Sequence, residues 1–90
     1  MTIRFHKIFT KHFDKRIQPN KKLLNAFDKR YILFLSDPQH ILLKNHALTG
    51  DMKGLRAFSI TGDIRVIYRL LDKKIIEFLD IGTHAQVYRQ

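Results

Sequence analysis

No cysteine occurs in the 90-residue sequence, which excludes disulfides and cysteine-based metal sites. No apolar segment opens the chain, and no run approaches the roughly 18 apolar residues of a membrane span. A cytosolic protein is therefore expected. Repeats, low-complexity tracts and linkers are also missing, which leaves one domain over residues 1–90. The histidines, at 6, 12, 40, 46 and 84, lack the short ligand spacings of zinc motifs. Neither a phosphate-binding loop nor a dinucleotide fingerprint is present, so no metal or cofactor is expected. Acidic residues are scarce, eight against seventeen Lys and Arg.

That scarcity sets the most distinctive bulk property, a net charge of +9 and a pI near 10.2. Hydrophobic residues make up 44% of the chain, enough for one modest core and too many for a disordered state. The positive charge is uneven: residues 1–45 hold ten Lys/Arg against three acids, and residues 46–90 hold seven against five. Such a surface implies a polyanion partner, either nucleic acid or an acidic protein. Lys11, Lys15, Arg16, Lys21 and Lys22 crowd one region. Like charges four apart on a helix oppose it by about 0.2–0.5 kcal/mol per pair, so Lys11 and Lys15 do nothing for helix stability. This favours a partner surface over a merely solvated face.

Hydrophobic periodicity gives the order of elements. Residues 2–9 alternate and predict a first strand. Thr10 is a candidate N-cap for a short helix over 11–17, with Phe13 and Ile17 four apart. Pro19-Asn20 breaks it, and Asn20 can cap a second helix over 21–36. There Leu23, Leu24, Phe27, Tyr31, Phe34 and Leu35 form a core-facing stripe. Pro38 ends the helix, and residues 38–54 read as a loop. Three strands follow, over 55–61, 64–71 and 74–82. Gly62-Asp63 and, more weakly, Asp72-Lys73 are two-residue turn signals between them. The expected fold class is α+β: strand, helix, helix, three strands, with both helices on one face of an antiparallel sheet.

Those turns set a register. Arg56 should face Arg69, Phe58 face Ile67, and Arg65 face Asp80. Ala57, Ile64, Val66, Tyr68, Leu70, Leu79 and Ile81 then share the apolar face that takes the helices. Arg56, Phe58, Arg65, Ile67, Arg69, Phe78 and Asp80 share the open face, with His84 just beyond it. Basic groups interleaved with aromatics there suit a nucleic-acid surface.

The chain also holds the groups needed to cut RNA by its own ribose hydroxyl. That reaction needs a base for the 2′-hydroxyl, an acid for the departing 5′-oxygen, and positive charge at the phosphorane. Histidine suits either proton role near neutral pH, and a carboxylate can serve as base. Arginine suits the phosphate through its charged fork. His84 is a candidate acid or a surface histidine. His46 is a candidate base, acid or phosphate ligand, or a loop residue bonded to backbone. Asp63 is a candidate base, although Gly-Asp is ordinary turn chemistry. Arg65 and Arg56 are phosphate candidates, and Arg65 is equally suited to a cross-strand pair with Asp80. Tyr88 can stack on a base or pack the C-terminal tail.

These residues lie in motifs that resemble the RelE/ParE toxin superfamily of bacterial toxin–antitoxin systems, and within it the YafQ-like mRNA interferases. The matching stretches are His46-Ala-Leu48-Thr-Gly50, Gly54-Leu-Arg56, Asp63 followed by Ile64-Arg65-Val66-Ile67-Tyr68, and Gly82-Thr83-His84 ending at Tyr88. The resemblance implies a RelE-like fold and a ribosome-dependent endoribonuclease that cuts mRNA in the A site. It also implies inhibition by a cognate antitoxin, in a toxin–antitoxin hetero-oligomer. Carried over, His46, Asp63 and His84 fall on catalytic positions of YafQ-like members, Arg65 on a strand arginine used elsewhere in the superfamily at the phosphate, and Tyr88 on an aromatic position. Arg56 lies where the family often has a basic residue. Ser59 stands where YafQ-like members carry a histidine, so one proton role is absent or reassigned. The antitoxin is expected to offset the charge with an acidic segment, and ribosomal RNA to meet Lys11, Lys15, Arg16, Lys21 and Lys22. Two alternatives stand beside this reading: a ParE-like gyrase inhibitor without chemistry, and a weakened member that only binds antitoxin or RNA.

Overall fold

The computed structural model describes residues 1–88. The chain forms β1 (Thr2–Phe5), α1 (Lys7–Arg16), α2 (Lys21–Ser36), β2 (His46–Ala47), β3 (Arg56–Ser59), β4 (Ile64–Leu70), β5 (Ile75–Thr83) and a last helical turn, α3 (His84–Val87). The five strands make one sheet in the order β1-β5-β4-β3-β2. This is a small α+β domain. α1 and α2 cover one face, and α3 lies on the other with the segment before β3.

α2 spans the residues that its pattern predicts. Asn20 caps it by accepting from Leu23 N–H at 3.1 Å, and Phe27 and Phe34 on its stripe are buried. Leu35 is the exception on that stripe and is exposed. Phe78 is the centre of the aromatic core, against Phe5, Phe9, Tyr31, Phe34, Phe58 and Tyr68, and Phe34 stacks on Phe58 at 4.4 Å between ring centroids and meets Tyr68 edge-on at 5.2 Å.

Four expectations need correction. The first strand stops at Phe5 and α1 begins at Lys7; its cap is His6, whose Nδ1 accepts from Ile8 N–H at 3.0 Å, not Thr10. The periodicity changes there because Phe9, Phe13 and Ile17 recur every four residues and pack into the core. β1 joins the sheet parallel to β5, so the sheet is mostly rather than wholly antiparallel. The 38–54 segment is not simply a loop: it holds two 3-10 turns, Ile41–Leu43 and Gly50–Met52, and the short β2 paired antiparallel with β3.

The fourth correction is the register. Arg56 pairs with Tyr68, Ala57 with Ile67, Phe58 with Val66 and Ser59 with Arg65. Across the next hairpin Arg65 faces Gly82, and Asp80 faces Ile67. The cause is the same in both turns. Each loop has three residues, because Ile60 N–H bonds Ile64 O and Leu71 N–H bonds Ile75 O. In one, Thr61 Oγ1 accepts from Asp63 and Ile64 N–H; in the other, Asp72 Oδ1 accepts from Lys74 and Ile75 N–H. A polar side chain at the first loop position thus satisfies two backbone donors and sets the loop length.

The slip reassigns the faces of β3 and part of β5. Phe58 and Phe78 turn toward α1 and α2, while Ala57 and Leu79 turn to the opposite face beside Ile67. Ile64, Val66, Tyr68 and Ile81 lie where expected, among the helices. An irregularity between Ile67 and Tyr68 then lets Asp80 reach α1, where it meets His12 Nδ1 at 2.6 Å and Arg16 Nη1 at 3.6 Å. Asp80 is therefore not the partner of Arg65.

Candidate active site

The face opposite α1 and α2 carries a second, smaller cluster: Ala57, Ile67 and Val87, with Leu48, Met52, Leu55, Leu79 and Tyr88 against it. Its apolar packing holds α3 and the 46–55 segment on the sheet. Between them lies an open cleft of about 520 Å³, lined by His46, Ala47, Leu48, Thr49, Gly50, Asp51, Met52, Arg65, His84 and Tyr88.

Arg65 is the centre of this cleft. It is the second residue of β4, half-buried, between Ser59 of β3 and Gly82 of β5. Its guanidinium carbon sits 5.6 Å from the centroid of the Tyr88 ring, and Nη1 lies 3.4 Å from His84 Nδ1. Nε is shielded from solvent and has no hydrogen-bond partner among the described residues. The carboxylates that form ion pairs among those residues are Asp80 and Glu77, whose partners are His12, Arg16 and Arg69. Arg65 thus presents its charge to the cleft without an ion-pair partner among the described residues.

His84 opens α3. Thr83 caps that turn by a reciprocal bond: its Oγ1 accepts from Gln86 N–H at 3.3 Å, and Gln86 Oε1 accepts from Thr83 N–H at 2.8 Å. Gly82 makes room for this. A Cβ there would stand 2.6 Å from Gln86 Oε1 and 2.7 Å from Arg16 Nη1. The His84 ring meets Tyr88 edge-on at 4.5 Å. Its Nδ1 faces a guanidinium, which can only donate, so in the neutral ring Nδ1 is assigned as the acceptor and the proton to Nε2.

His46 stands at the start of β2 with its ring exposed. Its Nδ1 lies 2.9 Å from the carbonyl of Lys44, which can only accept. In the neutral ring Nδ1 is therefore assigned the proton, and the Nε2 lone pair is left outward. One histidine thus offers a lone pair at Nε2 and the other an N–H.

Other candidates stand elsewhere. Asp63 is exposed in the β3–β4 loop and does not line the cleft. Arg56 does not share a face with Arg65: it points to the helix side, where Nε donates to Asn45 Oδ1 at 3.1 Å and Tyr68 Oη at 3.3 Å. Ser59 lies across from Arg65. Lys11, Lys15, Lys21 and Lys22 are exposed on α1 and the start of α2, whereas Arg16 is tied down, donating to Ile81 O at 2.8 Å. Two features, one in the cleft and one behind it, escaped the sequence reading. Asp51 and Met52 sit in a segment read as loop, and Asn45 joins Arg56 and Tyr68 through contacts that no local pattern signals. No group of three or more histidine, aspartate and glutamate residues is close enough to hold a metal among the described residues. No helix among them is long and apolar enough to cross a membrane.

Comparison with known proteins fits this geometry. Residues 1–89 match the family described as bacterial toxin of type II toxin-antitoxin system, YafQ. The crystal structure of YafQ from E. coli superposes with a TM-score of 0.80 at 25% identity, over 96% of each chain. The E. coli DinJ–YafQ complex gives a TM-score of 0.77 at 25% identity, again over 96% of both chains. A YoeB/ParE toxin from Agrobacterium tumefaciens, 19% identical, shares the fold at a TM-score of 0.77, over 93% of this chain and 99% of that one. No curated protein matches the sequence.

Proposed function

The chain belongs to the YafQ family of toxins of bacterial type II toxin–antitoxin systems, and on that premise we propose that it is an endoribonuclease that cuts mRNA on the ribosome. The observation that carries this reading is the meeting of His46, Arg65, His84 and Tyr88 in one cleft. In the proposed reaction, His46 Nε2 takes the proton of a ribose 2′-hydroxyl. The freed 2′-oxygen bonds to phosphorus, and the bond from phosphorus to the 5′-oxygen breaks. Arg65 binds the phosphate and stabilises the charge that builds on its oxygens. Its 3.4 Å contact to His84 is long and easily exchanged for the phosphate. Once the guanidinium turns away and the anion arrives, His84 can take a second proton from solvent and give one proton to the leaving oxygen, returning to the neutral ring. The products are a 2′,3′-cyclic phosphate and a 5′-hydroxyl. Tyr88 offers a ring for stacking a base, at a typical worth of about 1–3 kcal/mol. The mechanism calls on no cofactor.

In this assignment His46 takes the base role in preference to Asp63, because His46 lines the cleft. Arg65 takes the phosphate in preference to Arg56, whose Nε is engaged on the other face. The cationic surface of α1 and the start of α2 suits ribosomal RNA, and the same charge suits an acidic segment of a cognate antitoxin. A toxin–antitoxin complex is solved for the E. coli relative. An activity on translating ribosomes implies a cytoplasmic protein.

Induced expression in a bacterium, with mapping of mRNA 5′-ends, tests the reading. Codon-phased cuts that require translation are expected. Growth arrest with intact mRNA and blocked DNA supercoiling would overturn it in favour of a gyrase inhibitor.

A further inference from the structure

Asn45 stands immediately before His46 and is half-buried between the sheet and the end of α2. Its side chain is fully engaged. Nδ2 donates to the Pro38 carbonyl at 2.9 Å and lies 2.7 Å from Tyr68 Oη. Oδ1 accepts from Arg56 Nε at 3.1 Å and lies 3.0 Å from the same hydroxyl. Arg56 can only donate and the Pro38 carbonyl can only accept, so the amide has one orientation that satisfies both.

Lys44 lies on the other side of this anchor from His46 and adopts a left-handed conformation, with φ 49° and ψ 40°. A side chain adopts that conformation only when its neighbours impose it. Leu43, fully buried, holds the chain on one side of Lys44, and Asn45 holds it on the other. Between these two fixed points the Lys44 carbonyl is aimed at His46 Nδ1. That contact sets which imidazole nitrogen carries the proton.

We propose that Asn45, held by Arg56 and Tyr68, is a positioning residue that locks the Lys44 carbonyl onto His46 and so turns the Nε2 lone pair outward into the cleft. This rests on the reading of His46 as the base. It gives Arg56 a role: it braces the base from the far side of the sheet. It also ties the outer strand β2 to β4, which carries both Tyr68 and Arg65, so the base and the phosphate ligand share one support.

The test uses the whole chain with two substitutions. Asn45→Ala removes the anchor. Tyr68→Phe removes one hydroxyl and keeps the ring against Phe34 and Phe58. Imidazole ¹⁵N spectra of the neutral His46 ring should show a single Nδ1–H tautomer in the wild type and a mixture in both variants. Cleavage of ribosome-bound mRNA at saturation should fall about ten- to a hundred-fold in Asn45→Ala, with ribosome affinity unchanged. A purely structural role would lower the unfolding temperature and leave the tautomer alone. Wild-type tautomers in the folded variants overturn the proposal, and Tyr68→Phe decides alone if Asn45→Ala does not fold. If the wild type cuts no mRNA, the proposed function fails, while the spectra still decide the anchor.

Discussion

Arg65 carries its charge into a half-buried strand position where no carboxylate among the described residues meets it. A half-buried cation held by the Tyr88 ring and a 3.4 Å contact to His84, with no ion-paired carboxylate among the described residues, adds little to folding. This gives a prediction with two opposed readouts. Arg65→Met should leave the unfolding temperature equal or raise it, because the chain loses a half-buried charge that has no ion pair among the described residues and keeps a flexible apolar stem. The same change should cut cleavage about 10²–10³-fold, the usual loss when a charge-stabilising donor is removed. Thermal unfolding and single-turnover cleavage check both; a large loss of stability with retained activity would contradict the assignment. Local sequence pattern names Arg65 and His84 as candidates, and the fold brings them within 3.4 Å. It does not name Asn45, whose bonds to Arg56 and Tyr68 reach 11 and 23 residues along the chain. Asp63 reads as turn chemistry and stands in a turn; only the family resemblance raises it further.

Loop length is the decisive property among the elements. Two-residue turns, the commonest hairpin solution, place Phe58 on the site face and Ala57 on the core face. The three-residue loops reverse that. Thr61 and Asp72 carry the signal, each bonding two backbone N–H groups. Thr61→Val should therefore destabilise the protein by about 1 kcal/mol, the net worth of a typical hydrogen bond or two. Thr61→Asp should be tolerated, because Asp72 does the same work in the second hairpin. Urea unfolding separates the two; equal losses would contradict this account of the register. α2 was legible because its cap, stripe and terminating proline lie within one local segment. The parallel pairing of β1 with β5 and the α3 turn were not, since each is decided by a partner distant in the chain or by tertiary packing.

At the scale of the molecule, the sheet separates two tasks. One face buries the aromatic core and leaves the basic residues of α1 and α2 on the outside. The other face carries a small apolar cluster that supports the cleft. In the proposed function the net charge of +9 draws polyanions to the surface as a whole, and Arg65 is the residue proposed to hold the phosphate. Binding and chemistry are therefore separable in principle. Substituting a cleft histidine should sharply slow cutting while leaving fold and ribosome binding in place. The most direct measurement is single-turnover cleavage of mRNA on programmed ribosomes by the purified wild type and His84→Ala, with ribosome binding measured in parallel. The account predicts cleavage that depends on translating ribosomes, reduced about 10²–10⁴-fold in the variant with binding intact. Cleavage by His84→Ala at the wild-type rate, or none by the wild type, would contradict it.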